Sequence, residues 1–215
     1  MCGIAKKECR FNEMVCTKTL YNYIDVGLMN VKNIDLTLKV KISHKSRKCR
    51  KNRRIMGESI EKRPEKVNER NEFGHWEIDT VVGTKSRSAV LLTLVERVIR
   101  QLITMKIPSR SSKAVSEAMQ KIISTFGDKA YKTFKSITSD NGSEFATLTD
   151  AVPFSDVYFT HSYSSFERGT NEKQNSTLHR FFPKNQSLNN VSDQAIKAAQ
   201  DWINTLPRKI FVNSL

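Results

Sequence analysis

Apolar residues recur at helical spacing in one segment of the chain more regularly than anywhere else. They occupy one face between residues 111 and 127, namely Val115, Ala118, Met119, Ile122, Ile123 and Phe126. Such a period is typical of an amphipathic helix. Ser111 or Ser112 can cap the first turn, and Gly127 can end the helix. The pattern therefore predicts a helix over this segment.

Three segments before this helix are rich in the β-branched and aliphatic residues that favour strands. They cover about residues 75–83, 88–95 and 99–107, and apolar residues alternate with other positions in the last of them. The links between the segments are short. Because short links join antiparallel neighbours, we expect an antiparallel meander of three strands.

Strands and helices alternate after the central helix. The pattern predicts a strand at about 134–139, a short helix at 144–148, a strand at 157–160 and helices at 170–182 and 191–205. Pro183 ends the first of the two long helices. This order of elements is typical of an α/β domain, in which helices cover both faces of a mixed sheet.

The N-terminal part combines a short helical stripe with a basic run. Leu20, Ile24 and Leu28 predict a helix within 15–29, which is similar to the second helix of a helix-turn-helix but also to any small amphipathic helix. Residues 41–54 hold eight Lys or Arg and no acid. Such a run cannot form a core and predicts a linker, either solvated or in contact with DNA phosphates; its position near the first predicted strand favours DNA.

Composition narrows the class of protein. The 215 residues carry 36 Lys plus Arg against 22 Asp plus Glu, and this excess favours a polyanionic partner such as nucleic acid. No apolar run reaches the length of a membrane span of about 20 residues, and no apolar signal core follows Met1, so we expect a cytoplasmic protein without a membrane partner. The cysteines at 2, 9, 16 and 49 form no Cys-x-x-Cys pair, so we expect reduced, structural thiols rather than a zinc site.

Two acids lie in or directly after predicted strands. Asp79 lies inside the first strand, and Asp140 directly follows the fourth. Carboxylates in such surroundings are costly to bury alone, although any single one could be a surface acid. A third acid, Glu172, lies near the start of a predicted helix, with Glu167 as its rival in the preceding loop. Converging carboxylates repel each other unless Mg²⁺ or Mn²⁺ binds them, and two such ions about 3.5 to 4 Å apart can support phosphodiester chemistry.

One face of the helix predicted at 170–182 is expected to line this site. Its polar residues recur at helical spacing, at Glu172, Asn175, Ser176 and His179. The same spacing turns Leu178 and Phe182 toward the core. After Asp140, the pair Asn141 and Gly142 predicts a turn that leaves the backbone open to a phosphate group.

Four motifs, in order, resemble the DDE transposases of the insertion-sequence-30 type. They are Gly-His-Trp-Glu-Ile-Asp-Thr-Val-Val-Gly (74–83), Leu-Leu-Thr-Leu-Val-Glu-Arg (91–97), Thr-Ser-Asp-Asn-Gly-Ser-Glu-Phe-Ala (138–146), and Tyr-Ser-Ser-Phe-Glu-Arg-Gly-Thr-Asn-Glu (163–172) with Phe-Phe-Pro-Lys (181–184). The resemblance covers about residues 15–209. It implies a core similar to retroviral integrase, with the ribonuclease-H-like fold: a mixed five-stranded sheet with flanking helices, preceded here by a small helical remnant.

The resemblance also implies a reaction and its residues. Asp79, Asp140 and Glu172 would be the catalytic triad and would bind Mg²⁺ or Mn²⁺, as two ions. The implied reaction is DNA strand cleavage followed by strand transfer, on double-stranded DNA of the element's ends and of the target, by a homo-oligomer in the bacterial cytoplasm at the nucleoid. We expect the DNA contacts at Lys45, Arg47, Lys48, Arg50, Lys51, Arg53, Arg54, Arg168 and Lys173.

The chain departs from the family pattern at several points. Phe166 stands where the family usually has Trp, and Lys173 where it usually has Asn. Because family members carry longer N- and C-terminal regions, we expect a chain truncated at both ends, with a helix-turn-helix remnant at 1–38, a basic linker at 39–66 and the catalytic core at 67–215. A catalytically silent DNA-binding regulator of a full-length copy and a generic nuclease of the same fold are the alternative interpretations.

Overall fold

The computed structural model describes residues 14–36, 56–84, 88–161 and 169–207. The chain divides into two compact units, and the larger one contains the described residues from Met56 to Thr205. The described residues 14–36 belong to the smaller unit. In the described part, no helix is long and apolar enough to cross a membrane.

The smaller unit contains the predicted N-terminal helix in a shorter form. Helix α1 spans Thr17–Asp25. It stops because Gly27 adopts a positive φ of 78° and lets the amide of Leu28 bond back to the carbonyl of Tyr23 over 2.9 Å, which is a Schellman ending. Leu28 therefore lies beyond the helix and is 70% exposed, whereas Ile24 is buried.

The larger unit is built from six strands and flanking helices within the described residues. The strands are β1 (Glu58–Ser59), β2 (His75–Val82), β3 (Val90–Glu96), β4 (Leu102–Ile107), β5 (Ser136–Ser139) and β6 (Asp156–Phe159). The helices are α2 (Glu65–Glu69), α3 (Ser112–Phe126), α4 (Ala130–Thr133), α5 (Leu148–Ala151), α6 (Gly169–Leu178) and α7 (Asp193–Thr205), with short 3-10 turns at Ile60–Lys62, Gly127–Lys129 and Ser143–Phe145.

The six strands form one mixed sheet in the order β1-β6-β5-β2-β3-β4. β2, β3 and β4 pair antiparallel, which confirms the predicted meander. β5 lies parallel to β2 and β6 lies parallel to β5. The five strands from β2 to β6, with helices on both faces, form the predicted mixed sheet. The two-residue strand β1 extends it by pairing parallel to β6.

β3 is buried along its whole length, so the core lies on both faces of the sheet. Leu92 and Leu94 pack on one face with Trp76 and helix α3. Leu91 and Val95 pack on the other face with α6 and α7. In β2 this alternation places Glu77, Asp79 and Val81 toward α6, since successive strand residues point to opposite faces.

Helix α7 protects the outer edge of the sheet. The amide of Leu102 donates to Asn204 Oδ1 over 2.8 Å, and the amide of Thr104 donates to Gln200 Oε1 over 2.7 Å. The two acceptors are one helical turn apart, and the two donors are two strand positions apart on β4. These bonds satisfy edge amides that would otherwise be open to pairing with another chain.

Several elements differ from the predicted ones. The short helix predicted at 144–148 is a 3-10 turn at Ser143–Phe145 followed by α5. β1 and the turn at Ile60–Lys62 lie within the segment 39–66 that the basic composition assigned to a linker. A two-residue strand has no periodicity of its own, and its pairing with β6 depends on residues about one hundred positions away.

Candidate active site

Asp79 occupies the middle of β2 on the face that α6 covers. It pairs with Thr93 of β3 and is half-buried. Its Oδ1 accepts a hydrogen bond from the amide of Thr80 over 2.8 Å, and its Oδ2 accepts one from Asn175 Nδ2 over 3.0 Å. Both carboxylate oxygens are therefore oriented by the protein rather than free to rotate.

Asp140 directly follows β5, next to β2. The parallel register pairs Trp76 with Ile137 and Glu77 with Thr138. Continued by two residues, this register would pair Asp140 with Asp79, although β5 itself ends at Ser139. The sheet therefore places β5, which Asp140 directly follows, next to β2, which carries Asp79.

The turn after Asp140 is closed by the carboxylate itself. Asp140 Oδ1 accepts a hydrogen bond from the amide of Gly142 over 3.0 Å, as in other turns that begin with Asp. A side chain at Gly142 would have its Cβ only 2.8 Å from Asp140 Oδ1 and 2.6 Å from Glu144 Oε2. A larger residue at this position would therefore require at least one of the two carboxylates to move.

Glu172 lies on α6 and is exposed. The helix is attached to β2 on either side of it: the amide of Asn171 donates to Glu77 Oε2 over 2.9 Å, and Asn175 donates to Asp79. Glu172 and Asn175 are three residues apart, so they share one helix face. Asn175 faces Asp79 and Leu178 is buried in the core, as predicted, whereas Ser176 is exposed and His179 Nδ1 lies 3.1 Å from the carbonyl of Phe182.

The donor set suits a hard divalent cation, since Asp79, Asp140 and Glu172 offer only carboxylate oxygens. Among the residues that the structure describes, no group of three or more His, Cys, Asp or Glu side chains is placed to hold a metal ion. The convergence of all three acids stays a prediction.

Another acid, Glu144, lies beside Asp140 and is buried. The sequence analysis did not assign it to the site. Glu144 is 4% exposed and forms an ion pair with Arg110, from the link between β4 and α3. Its Oε1 also accepts a hydrogen bond from Thr80 Oγ1 over 3.3 Å. The signal in the sequence was an acid two residues after the turn glycine, next to the buried Phe145.

The predicted DNA contacts fall mostly outside the described residues. This applies to Arg168 and to the basic residues at Lys45, Arg47, Lys48, Arg50, Lys51, Arg53 and Arg54. Glu167, the rival third acid, also lies outside them. Lys173 is exposed on α6, next to Glu172. Of the predicted thiols, Cys16 is described, and it is exposed and not in a disulfide.

Comparison with known proteins adds family information to this geometry. Residues 69–165 match the integrase core domain. The chain is 43% identical over 195 residues to a probable transposase for insertion-like sequence element IS1161 from Streptococcus salivarius, covering 90% of this chain and 55% of the relative. It is 30% identical over 214 residues to transposase InsI for insertion sequence element IS30C from Escherichia coli K12, covering 95% and 54%. The chain spans about half the length of these relatives.

Two solved structures are also similar. One is the catalytic core domain of BIV integrase, at 14% identity and a TM-score of 0.47, covering 64% of this chain and 87% of that one. The other is a simian T-cell lymphotropic virus intasome in complex with PP2A regulatory subunit B56 gamma, at 21% identity and a TM-score of 0.47, covering 62% and 49%.

Proposed function

We propose that this chain, which is similar to insertion-sequence transposases and contains a match to the integrase core domain, is the catalytic part of a DDE transposase that cleaves DNA strands and transfers them to a new site. One observation carries the proposal. β2, which carries Asp79, pairs parallel with β5, which Asp140 directly follows, and α6, which bears Glu172, is bonded to the carboxylate of Asp79.

The residues of the site hold and orient carboxylate oxygens. Asn175 and the amide of Thr80 fix the two oxygens of Asp79, and the amide of Gly142 fixes one oxygen of Asp140. Glu172 supplies a third carboxylate from α6. When bound, two divalent ions supply activation of the attacking oxygen and stabilisation of the leaving oxygen in an in-line displacement. The family generally depends on such a metal, and the all-oxygen donor set suits Mg²⁺ or Mn²⁺.

The faces of β2 support Glu172 rather than Glu144 as the third ligand. Asp79 and Thr80 are successive strand residues, so their side chains point to opposite faces. α6 contacts Asp79, whereas Glu144 contacts Thr80. Glu144 is also paired with Arg110, which neutralises it. Its carboxylate lies close to that of Asp140 at Gly142, and its role in this proposal is to support the Asp140 turn.

The substrate in this proposal is double-stranded DNA, at the element's ends and at the target. The net charge of +14 supports a polyanionic partner. The basic run at 41–54, Arg168 and Lys173 would contact phosphates, and the active form would be a homo-oligomer that pairs two ends. Its place of action is the bacterial cytoplasm at the nucleoid, where both DNA partners are found.

Nicking of a preformed DNA end in Mn²⁺ tests the proposal. The purified 215-residue chain is expected to nick weakly, because it spans about half the length of its relatives, and Asp140→Asn is expected to abolish nicking. Asp150→Asn is a matched control, since Asp150 is an exposed acid on the nearby helix α5.

Mn²⁺ binding, measured by calorimetry, gives a second readout that does not need a DNA end. The chain is expected to bind Mn²⁺, and Asp79→Asn, Asp140→Asn and Glu172→Gln are each expected to weaken binding. Equal binding by the unaltered chain and all three variants would rule out the metal site.

A further inference from the structure

A fully buried ion pair lies behind the candidate site. Glu77 of β2 is 0% exposed, Arg97 directly after β3 is 4% exposed, and Arg97 Nε lies 3.2 Å from Glu77 Oε1. Burying two charges costs free energy that their attraction often does not recover, so a buried pair is weak evidence of a contribution to stability. Its other contacts therefore indicate what it does.

Arg97 is held firmly in place. Its Nη1 donates to the carbonyl of Val67 in α2 over 2.8 Å, and its backbone amide donates to the carbonyl of His75 over 2.9 Å. Burial, together with the nearby Arg63, lowers the pKa of Arg97 to about 10, so the guanidinium remains protonated at neutral pH. This fixed cation faces the carboxylate of Glu77 as a charge contact, since Arg97 Nε and Glu77 Oε1 do not form a hydrogen bond.

Glu77 uses its second oxygen to hold α6. Oε2 accepts a hydrogen bond from the backbone amide of Asn171 over 2.9 Å. Asn171 is 0% exposed and immediately precedes Glu172. An amide in the first turn of a helix has no partner within the helix, so this bond satisfies a donor that would otherwise be unpaired.

Two attachment points with matching spacing fix the helix. Glu77 and Asp79 are two residues apart on one face of β2, about 6.7 Å at the usual rise of a strand. Asn171 and Asn175, which bond to them, are four residues apart on α6, about 6 Å at the usual rise of a helix. The two bonds together set the direction of the helix along β2, and Gln174, which donates to the carbonyl of Arg100, and the buried Leu178 add further contacts.

We propose that the Glu77–Arg97 pair is a latch that positions α6, and through it Glu172, beside Asp79. Glu77 and Arg97 are positioning residues in this proposal, which rests on the proposed function for the role of Glu172. Their side chains belong to the first and second of the motifs quoted above, and Asn171 belongs to the fourth. The ion pair and the hydrogen bond to Asn171 therefore connect three motifs that are distant in sequence.

Replacing both members of the pair distinguishes its effect on the position of α6 from its effect on the stability of the fold. In Glu77→Met/Arg97→Met the two charges leave together, and unbranched side chains fill the space, a change that other proteins tolerate with little loss of stability. Hydrogen exchange of the full chain is expected to rise about tenfold at the amides of residues 171–178, the change that corresponds to about 1.4 kcal/mol, while exchange in α7 stays unchanged. Mn²⁺ affinity is expected to fall because Glu172 is no longer held.

Asn171→Pro provides an independent test that leaves the buried pair intact. Proline removes the amide that bonds to Glu77 and is tolerated in the first turn of a helix, where that amide has no intrahelical partner. Faster exchange at residues 172–178 and weaker Mn²⁺ binding are expected here too.

Glu96→Gln is the matched control. Glu96 is also a fully buried acid, and its carboxylate accepts hydrogen bonds from the amides of Gly74, Val98 and Ile99. The Glu96→Gln variant is expected to have a lower unfolding temperature, with hydrogen exchange in α6 and Mn²⁺ affinity unchanged.

Three outcomes decide the matter. Unchanged α6 exchange in both latch variants would overturn the proposal. Faster α6 exchange with unchanged Mn²⁺ affinity would also overturn it, since the pair would then hold the helix without positioning Glu172. If the unaltered chain and its Asp79→Asn variant bind Mn²⁺ equally, the proposed function fails instead, and that failure is visible without either latch variant.

Discussion

Asn175 connects two strands of the sheet to the helix that bears Glu172, because its Nδ2 donates to Asp79 Oδ2 over 3.0 Å while its Oδ1 lies 3.2 Å from Thr93 Oγ1. Thr93 is also the direct neighbour of Asp79 across the β2–β3 pair. The amide side chain therefore has a fixed orientation, with its donor directed at the acid. A neutral donor in this place holds the carboxylate without competing with a cation for it.

Replacing Asn175 by Asp is expected to weaken the site more than replacing it by Ala. Ala removes the hydrogen bond to Asp79, whereas Asp places a second negative charge against Asp79 and can still accept the hydrogen bond that Thr93 Oγ1 donates. Calorimetric Mn²⁺ titration at low salt measures the difference. Ser176→Ala, an exposed neighbour on the same helix, serves as the control. Equal Mn²⁺ affinities in the Asp and Ala variants would show that charge at this position does not matter.

Gly142→Ala is expected to disturb the site by crowding alone. The added Cβ would lie 2.6 Å from Glu144 Oε2 and 2.8 Å from Asp140 Oδ1, so at least one carboxylate must move. We expect a loss of about 1–3 kcal/mol in the free energy of unfolding, as in other overpacked positions, together with weaker Mn²⁺ binding. Urea unfolding and calorimetry measure the two effects. Ser143→Ala, at the exposed next position, is expected to change neither.

The sequence predicted the sheet and the positions of two acids because local patterns determine both. The buried strand β3 and the helix capped by Ser111 carry their own periodicity, and Asp140 is marked by the strand before it and the turn after it. The Glu77–Arg97 pair carries no such signal, since an acid and a base within strand-like segments are also typical of exposed positions. Its burial depends on α2 and α6, which are distant in sequence.

Glu144 was not assigned to the predicted site for a related reason. An acid in a turn is typical of a solvated side chain, and only the fold brings Arg110 and Thr80 to it. Asn175, by contrast, was predicted to face the site, because helical spacing relates it to Glu172. Periodic relationships within one element can be read from the sequence, whereas pairs that join distant segments require the structure.

The Arg110–Glu144 pair predicts a stability effect that a double substitution should reverse. Arg110→Met leaves a buried carboxylate without its cation and is expected to cost about 1–3 kcal/mol in the free energy of unfolding. Adding Glu144→Gln removes the uncompensated charge and keeps an acceptor for Thr80 Oγ1, so part of the loss should return. Urea unfolding of both single variants and the double variant measures the coupling, and strictly additive losses would contradict the prediction.

His75 predicts how stability changes below neutral pH. Burial lowers the pKa of His75 from its ordinary 6.5, and the charges of Lys135 and Arg97 act in the same direction, while Glu72 opposes them. The unfolded chain therefore takes up this proton first as the pH falls. The stability that this difference in pKa contributes is fully present above pH 6.5. It is lost as the pH falls toward the folded-state pKa of His75, at no more than about 1.4 kcal/mol per pH unit for one proton.

Glu72 does not obscure this effect, although it contacts the same histidine. Hydrogen bonds from Lys135 and His75 lower the pKa of Glu72 from 4.5 to about 2, so its own titration affects stability only at lower pH. The free energy of unfolding, measured with urea between about pH 7 and 5, should therefore change less with pH in His75→Gln than in the unaltered chain, because the variant has no proton to bind at this position. Equal slopes in the two proteins would mean that His75 titrates alike in the folded and unfolded states, and that its burial beside Ser136 does not control this part of the pH response.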